Sequence, residues 1–278
     1  MPVGDSWMSY SLIFVVRQLC SMEHVCKNCG NSFNGKFCNS CGQKFDVPQF
    51  TYKHIFEEGF HAFTHADKSF LAFIKKILIS PGRVAYEYII ERKRKKYFNP
   101  FTFFLLVTAI NAFMEGAELH LKEKLFHYNN EYGQIFNIYS KVLSLICIPL
   151  VALAFWLVHF KKPRFLYSEY TVFAMMLLSM FSLVEIFSHA VNYSVTALAH
   201  SSFSLGGNLI YLIISVAYLA FADYQFHVKA GKSSIIKSIL CAVLFFAVMF
   251  AIEVFIIWGV INGFQGIGSF SMYGIRFN

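Results

Sequence analysis

The chain has 278 residues, of which 56% are hydrophobic and 14% charged, with a mean hydropathy of +0.51 and a formal net charge of +8. A water-exposed globule carries roughly 25% charged residues, so this composition excludes a soluble protein, and its 18% aromatics exclude disorder. It implies an integral membrane protein and by itself names neither a reaction nor a substrate.

Charge is unevenly spread, since residues 22–100 hold 13 Lys/Arg against 7 Asp/Glu. The positive-inside rule assigns that block to the cytoplasm. Ahead of it, residues 1–21 hold a short apolar run from Tyr10 to Leu19, interrupted by Arg17, without a basic leader or a small-residue cleavage pattern. They suit neither a signal peptide nor a span. Met22 is the natural alternative start, so 1–21 reads as a mis-assigned beginning or a disordered tail.

Residues 22–46 read as a zinc ribbon. Cys26, Cys29, Cys38 and Cys41 follow the pattern C-x2-C-x8-C-x2-C, and each pair ends in a glycine, Gly30 and Gly42. Two thiolates separated by two residues can grip one ion, and glycine allows the positive φ that such a turn needs. Four sulfurs close a tetrahedron with no position left for water, which points to one structural zinc per chain, with iron as the other metal that S4 ligation suits. Cys20, Cys147 and Cys241 are isolated, and the last two read as apolar residues of membrane helices. The ribbon lacks a basic stripe, which argues against nucleic acid and leaves a cytoplasmic protein partner as its expected contact.

Residues 47–98 read as a cytoplasmic amphipathic helical linker with a basic end. Ile55, Phe56, Phe60 and Phe63, then Phe70, Phe73, Ile74 and Ile77, recur at helical spacing up to Pro81-Gly82, which suits helices lying on the membrane or packed beneath it. His54, Glu58, His61 and His65 share one helical stripe, more commonly a solvated polar face than a metal site. Arg92, Lys93, Arg94, Lys95 and Lys96 then precede the first apolar run and are expected to set topology and attract the headgroups of an anionic bilayer.

The order of these motifs, from the CxNCG and CxxCGQ knuckles through Ser80-Pro-Gly-Arg83 to Arg92-Lys-Arg-Lys-Lys-Tyr97-Phe-Asn-Pro100, resembles an uncharacterised bacterial membrane-protein family of Bacteroidota type with an N-terminal zinc ribbon. The resemblance covers residues 26–115. It implies a ribbon joined to a polytopic membrane domain in a bacterial inner membrane, and no activity. Glu91 departs from the family's usual glycine before the basic run.

Residues 99–278 form the membrane domain, with apolar segments at about 99–115, 141–160, 170–192, 205–226 and 238–262. The last four reach the ~20 residues that a ~30 Å hydrocarbon core requires, and the first is short. If 99–115 also crosses, Lys161, Lys162 and Arg164, as well as Lys229, Lys232 and Lys237, fall on the cytoplasmic side. The uncharged loop Ser194–Ser204 then lies outside. The expected architecture is therefore an all-α polytopic membrane protein with about five spans, a small N-terminal zinc ribbon and amphipathic interfacial helices. Its N-terminus is cytoplasmic, and the acidic loop Glu115–Glu131 and the C-terminus lie outside. Asn99 and Pro100 suit N-cap and N1 of the first span, and Pro149 should kink the second or leave a free carbonyl. Gly259 and Gly263 permit close helix approach, although nothing here sets the oligomeric state.

Glu185 and Glu253 are carboxylates inside long apolar runs, each roughly 22 Å along its helix from the cytoplasmic end. His189 follows Glu185 by one turn and Asn111 lies at a similar depth. The expected arrangement is an intramembrane polar cluster with Glu185 and His189 facing Glu253, either interhelical glue or a proton, cation or headgroup site. No phosphate loop, GxSxG, HExxH or dinucleotide fingerprint occurs. The leading reading is a non-enzymatic membrane protein, a small transporter or a lipid- or partner-binding factor. An intramembrane lipid-acting enzyme using Glu185, His189 and Glu253 is one alternative, and a structural or assembly factor is another.

Overall fold

The computed structural model describes residues 24–46, 69–126, 131–159, 165–201, 205, 209–231, 234–255 and 259, together with the strand residues 271–272 and 275–276. The stripe His54, Glu58, His61 and His65, the start at 1–21, Lys161, Lys162, Arg164 and Lys232 lie outside the described residues.

The chain is a helical membrane protein with a small cysteine-bearing β module at its N-terminal side. Strands β1 (His24–Val25) and β2 (Ser32–Phe33) form an antiparallel pair. Then come α1 (Ser69–Ile79), α2 (Pro81–Ile89), a single 3-10 turn (Arg94–Lys96), α3 (Pro100–Phe126), α4 (Glu131–Val158), α5 (Tyr167–Ala199), α6 (Leu209–Lys229) and α7 (Ile235–Phe255). A short antiparallel pair, β3 (Ser271–Met272) with β4 (Ile275–Arg276), follows near the C-terminus.

Helix α5 is the axis of the bundle. Its residues from Glu169 to Met180 are buried on every side, as an all-round apolar helix must be. It packs against α3, α4, α6 and α2, while α7 closes the far side against α4 and α6. Apolar side chains also cover the outside of the bundle, including Leu145, Ile146, Leu150, Leu153 and Leu157 on α4 and Ile236, Ile239, Leu240 and Val243 on α7. Water would penalise such a surface, and lipid tails accept it.

Among the described residues, four helical runs are long and apolar enough to cross a membrane: Arg94–Phe126, Tyr139–Val158, Tyr167–Ala199 and Ile235–Phe255. The expected segment 205–226 corresponds to α6, which is not among those four. Three helices outrun the apolar segments expected for them. Helix α3 continues to Phe126 rather than stopping near Glu115, α4 starts at Glu131 rather than 141, and α5 spans 167–199 rather than 170–192. The stretch Glu115–Phe126, expected as part of an acidic loop, is therefore helical. Hydropathy marks where hydrocarbon ends, whereas a helix continues as long as its backbone bonds and i,i+4 pairs such as Glu118 with Lys122 favour it.

Local chemistry sets several ends. The Asn99 side chain accepts hydrogen bonds from the N–H groups of Phe101 (2.9 Å) and Thr102 (3.3 Å), which caps α3 ahead of Pro100. The Leu166 N–H donates to Glu169 Oε2 at 2.8 Å at the start of α5. Helix α4 runs through Pro149, whose own carbonyl accepts the Tyr167 hydroxyl at 2.9 Å.

Helix α2 packs against α6 and α5. Val84, Ala85, Tyr88 and Ile89 belong to the main core, and Gly82 lies so close to α6 that a Cβ there would meet Ala222 O at 2.0 Å. The Gly82 N–H donates to Gln225 Oε1 at 3.2 Å.

Candidate functional site

The four cysteines converge from two turns of equal construction. In the first, the Cys26 N–H donates to Asn31 O and the Gly30 N–H to Cys26 O. In the second, the Cys38 N–H donates to Gln43 O and the Gly42 N–H to Cys38 O. Gly30 (φ 76°) and Gly42 (φ 69°) hold the left-handed conformation that closes each turn. Cys26 Sγ lies 3.5 Å from Cys41 Sγ, and Cys29 Sγ lies 3.6 Å from Cys38 Sγ. Four thiolates around a tetrahedral ion at about 2.3 Å are about 3.8 Å apart, so these sulfurs are spaced to hold one metal ion. Phe33 backs the site, and His24 stacks on Phe45 with ring centroids 3.7 Å apart.

The cysteine module is tied to the basic turn by Gln43. Its buried side chain donates from Nε2 to Arg92 O at 3.1 Å and accepts the Lys95 N–H at 3.5 Å. Arg92 has φ 57°, a conformation that costs a non-glycine residue roughly 1–2 kcal/mol unless its surroundings hold it. The bridge from Gln43 is one such hold.

Of the basic side chains expected at headgroups, Lys96 and Lys93 form ion pairs within the protein. Lys96 Nζ lies 2.6 Å from Glu87 Oε2, and Lys93 Nζ lies 2.6 Å from Glu91 Oε2. The Tyr97 hydroxyl also donates to Glu87 Oε2 at 2.6 Å, and Arg83 reaches Oε1 at 3.3 Å. Burial opposes ionisation of Glu87, but the Lys96 ammonium and the Tyr97 hydroxyl outweigh it and bring the carboxyl down to about 2. The region is still strongly basic, because residues 69–96 carry eight Lys/Arg against Glu87 and Glu91.

Within the bundle, the expected polar residues divide into neighbouring pairs. Asn111 of α3 donates to Glu185 Oε2 of α5 at 2.7 Å. His189 turns from Glu185 to Glu118 of α3, with Nδ1 2.7 Å from Oε2, and Asn192 donates to the same oxygen at 3.3 Å. Lys122 pairs with the other Glu118 oxygen. Residues one turn apart share a helix face, but α3 lies along that face and offers His189 a nearer carboxylate. Lys141 of α4, which sequence reasoning passed over, pairs with Glu115 at 3.1 Å and also feels the charges of Glu185 and Glu253. Glu253 accepts no hydrogen bond from the described residues, and its charged neighbours are Glu185, Lys141 and Glu115.

A second cluster went unnoticed in the sequence. His159 at the end of α4 and Asp223 and His227 of α6 place three ligand-type atoms within 4.8 Å of one another, all buried. Asp223 Oδ2 accepts the Ser238 hydroxyl at 2.7 Å and lies 3.5 Å from His159 Nε2, while Oδ1 lies 3.3 Å from His227 Nδ1. The two imidazole rings stack at 3.7 Å. Cys241, expected as a plain apolar residue, has its sulfur 3.6 Å from His159 Nε2. The available signal was Asp223 and His227 at i,i+4 in the last turns of an apolar helix, where ionisable side chains are costly.

Residues 67–111 match a family model described as a protein of unknown function (DUF3667). The matched stretch takes in α1, α2, the basic turn and the opening turns of α3. No curated protein and no solved structure matches the chain. The match supports an uncharacterised family, to which this chain is similar across the segment that links the cysteine module to the membrane bundle.

Proposed function

We propose that the chain is a non-enzymatic protein of a bacterial inner membrane in which a zinc ribbon braces a basic turn that binds anionic lipid headgroups. The carrying observation is the Gln43 bridge, which joins a side chain of the ribbon to the backbone of Arg92 and Lys95 in the basic turn. A structural ion supplies most of the folding free energy of so small a module, so metal binding and the position of the turn are linked. The ribbon's exposed face, with Val25 and Phe37 outward, is left for a cytoplasmic partner. With five spans the N-terminus is cytoplasmic and the C-terminus outside, and a reporter fused after Asn278 should behave as external.

The headgroup reading is tested by native mass spectrometry of protein released from mixed phosphatidylglycerol and phosphatidylethanolamine bilayers. Each basic residue near a charged surface is worth about 1 kcal/mol, so Arg94→Gln/Lys95→Gln should lower phosphatidylglycerol retention by more than tenfold. It should leave phosphatidylethanolamine unchanged. Equal phosphatidylglycerol retention in the variant would remove the reading.

A small transporter is the second reading, favoured by Glu253 lying among Glu185, Glu115 and Lys141 inside the bundle. A ligand retained by wild type and lost in Glu253→Gln would move the function there. The enzyme and assembly-factor readings have no comparable observation behind them.

A further inference from the structure

Asp223 of α6 is fully buried, and its ion-pair partners among the described residues are His159 and His227. The Ser238 hydroxyl donates to Oδ2 but brings no charge, and Oδ1 has no aligned donor. An ionised carboxylate in such a place is costly unless a cation faces it. One imidazolium suffices, and the two rings are not equal candidates for it. A carbonyl can only accept, so His227 Nδ1, 2.9 Å from the Asp223 backbone oxygen, carries a hydrogen and donates it there. Its Nε2 lies 3.2 Å from the Tyr170 hydroxyl and accepts from it when the ring is neutral. Neutral His227 is thus fully satisfied, whereas charging it would turn Tyr170 into the acceptor and strand the phenolic hydrogen.

His159 has the opposite surroundings. Its Nε2 faces Asp223 Oδ2 at 3.5 Å, and its side chain is 10% exposed, against 4% for His227 and none for Asp223, so it is the ring a proton from water reaches first. A second proton is opposed by the stack: the rings lie 3.7 Å apart with planes 13° from parallel, and two imidazoliums would meet face to face. The other titratable groups around the cluster are Tyr170 and Glu169 of α5 and Cys241 and Lys237 of α7. Tyr170 and Cys241 are ordinarily uncharged at neutral pH, Glu169 accepts from the Leu166 N–H, and Lys237 forms no ion pair with Asp223.

We propose that this cluster is a binding site for a single proton, carried on His159 opposite Asp223, which clamps the end of α4 to α6 and, through Ser238, to α7. The clamp holds while His159 is charged. Rising pH removes that proton, leaves Asp223 a buried carboxylate without a cation, and loosens the joint, so the packing of these three helices responds to acidity in the range where imidazoles titrate. This inference does not depend on the lipid reading.

The test is nitrogen NMR of the full chain in detergent, isotope-labelled at histidine, with the two signals assigned through His159→Gln and His227→Gln. At about pH 6 wild type should show His159 as imidazolium and His227 as the neutral ring protonated at Nδ1. In Asp223→Asn, whose amide needs no counter-charge, His159 should bind its proton about tenfold or more weakly than in wild type. The Tm advantage of wild type over His159→Gln should shrink as pH is raised from about 6 to about 8. If Asp223→Asn does not fold, the wild-type spectrum and the Tm comparison still decide. A folded wild type with His159 neutral at about pH 6, the charge found on His227 instead, or a Tm gap that stays constant with pH would overturn the proposal.

Discussion

Replacing Gly82 by alanine sets two effects of opposite sign against each other. In an unpacked helix the change is favourable by up to about 1 kcal/mol, because alanine is the better helix former. In this protein the new Cβ would sit 2.0 Å from Ala222 O, 2.5 Å from Phe226 N and 2.7 Å from Gln225 Cβ. Two of those three atoms are backbone of α6 and have no rotamer to move into. Relief requires α2 to back away by about 1.4 Å, which is overpacking of a kind that costs about 1–3 kcal/mol. Moving α2 also strains the Gly82 to Gln225 hydrogen bond, worth about 1 kcal/mol, and withdraws Tyr86 from its edge contact with Phe226. The net expectation is a loss of about 2 kcal/mol, read as a Tm lower by about 4–8 °C in detergent. A Gly82→Ala protein as stable as wild type, or more so, would mean that helix propensity won and that α2 does not dock on α6.

Three further outcomes follow from the same geometry. Cys29→Ser or Cys38→Ser should lose the ribbon metal and speed proteolysis between residues 26 and 46, and a metal-free chain with wild-type protection there would contradict the ribbon reading. Glu87→Gln should cost on the order of 2 kcal/mol at neutral pH. Because the folded carboxyl titrates at about 2 against an ordinary 4.5, that advantage is complete above the ordinary value and lost as pH falls toward 2. Stability curves of wild type and Glu87→Gln should therefore converge on acidification, and a constant gap would refute the pairing with Lys96 and Tyr97. Asn111→Ala leaves Glu185 without its donor and should lower stability by about 1–3 kcal/mol, whereas Glu185→Gln, which still accepts from Asn111, should cost less. Thermal scans in matched detergent that reverse this order would place the burden elsewhere.

Composition and local spacing were enough for the membrane class, the helical character and the cysteine set. Each is encoded within a short stretch: a knuckle needs only two cysteines and a glycine in a row, and an apolar run of twenty residues announces its solvent by itself. Contacts between helices are not written that way. Asn111 and Glu185 shared a depth that counting residues along helices could suggest. Whether His189 met Glu185 or Glu118 depended on where α3 lay against α5. Lys93 and Lys96 read as free charges because Glu91 and Glu87 precede them on a chain that folds back through the turn at Arg92. His159 stands 64 residues before Asp223, and only the packing of α4 against α7 and of α7 against α6 brings its ring over His227 and beside Cys241. The rotation and register of packed helices come from many side chains fitting at once, so no single stretch of sequence carries them.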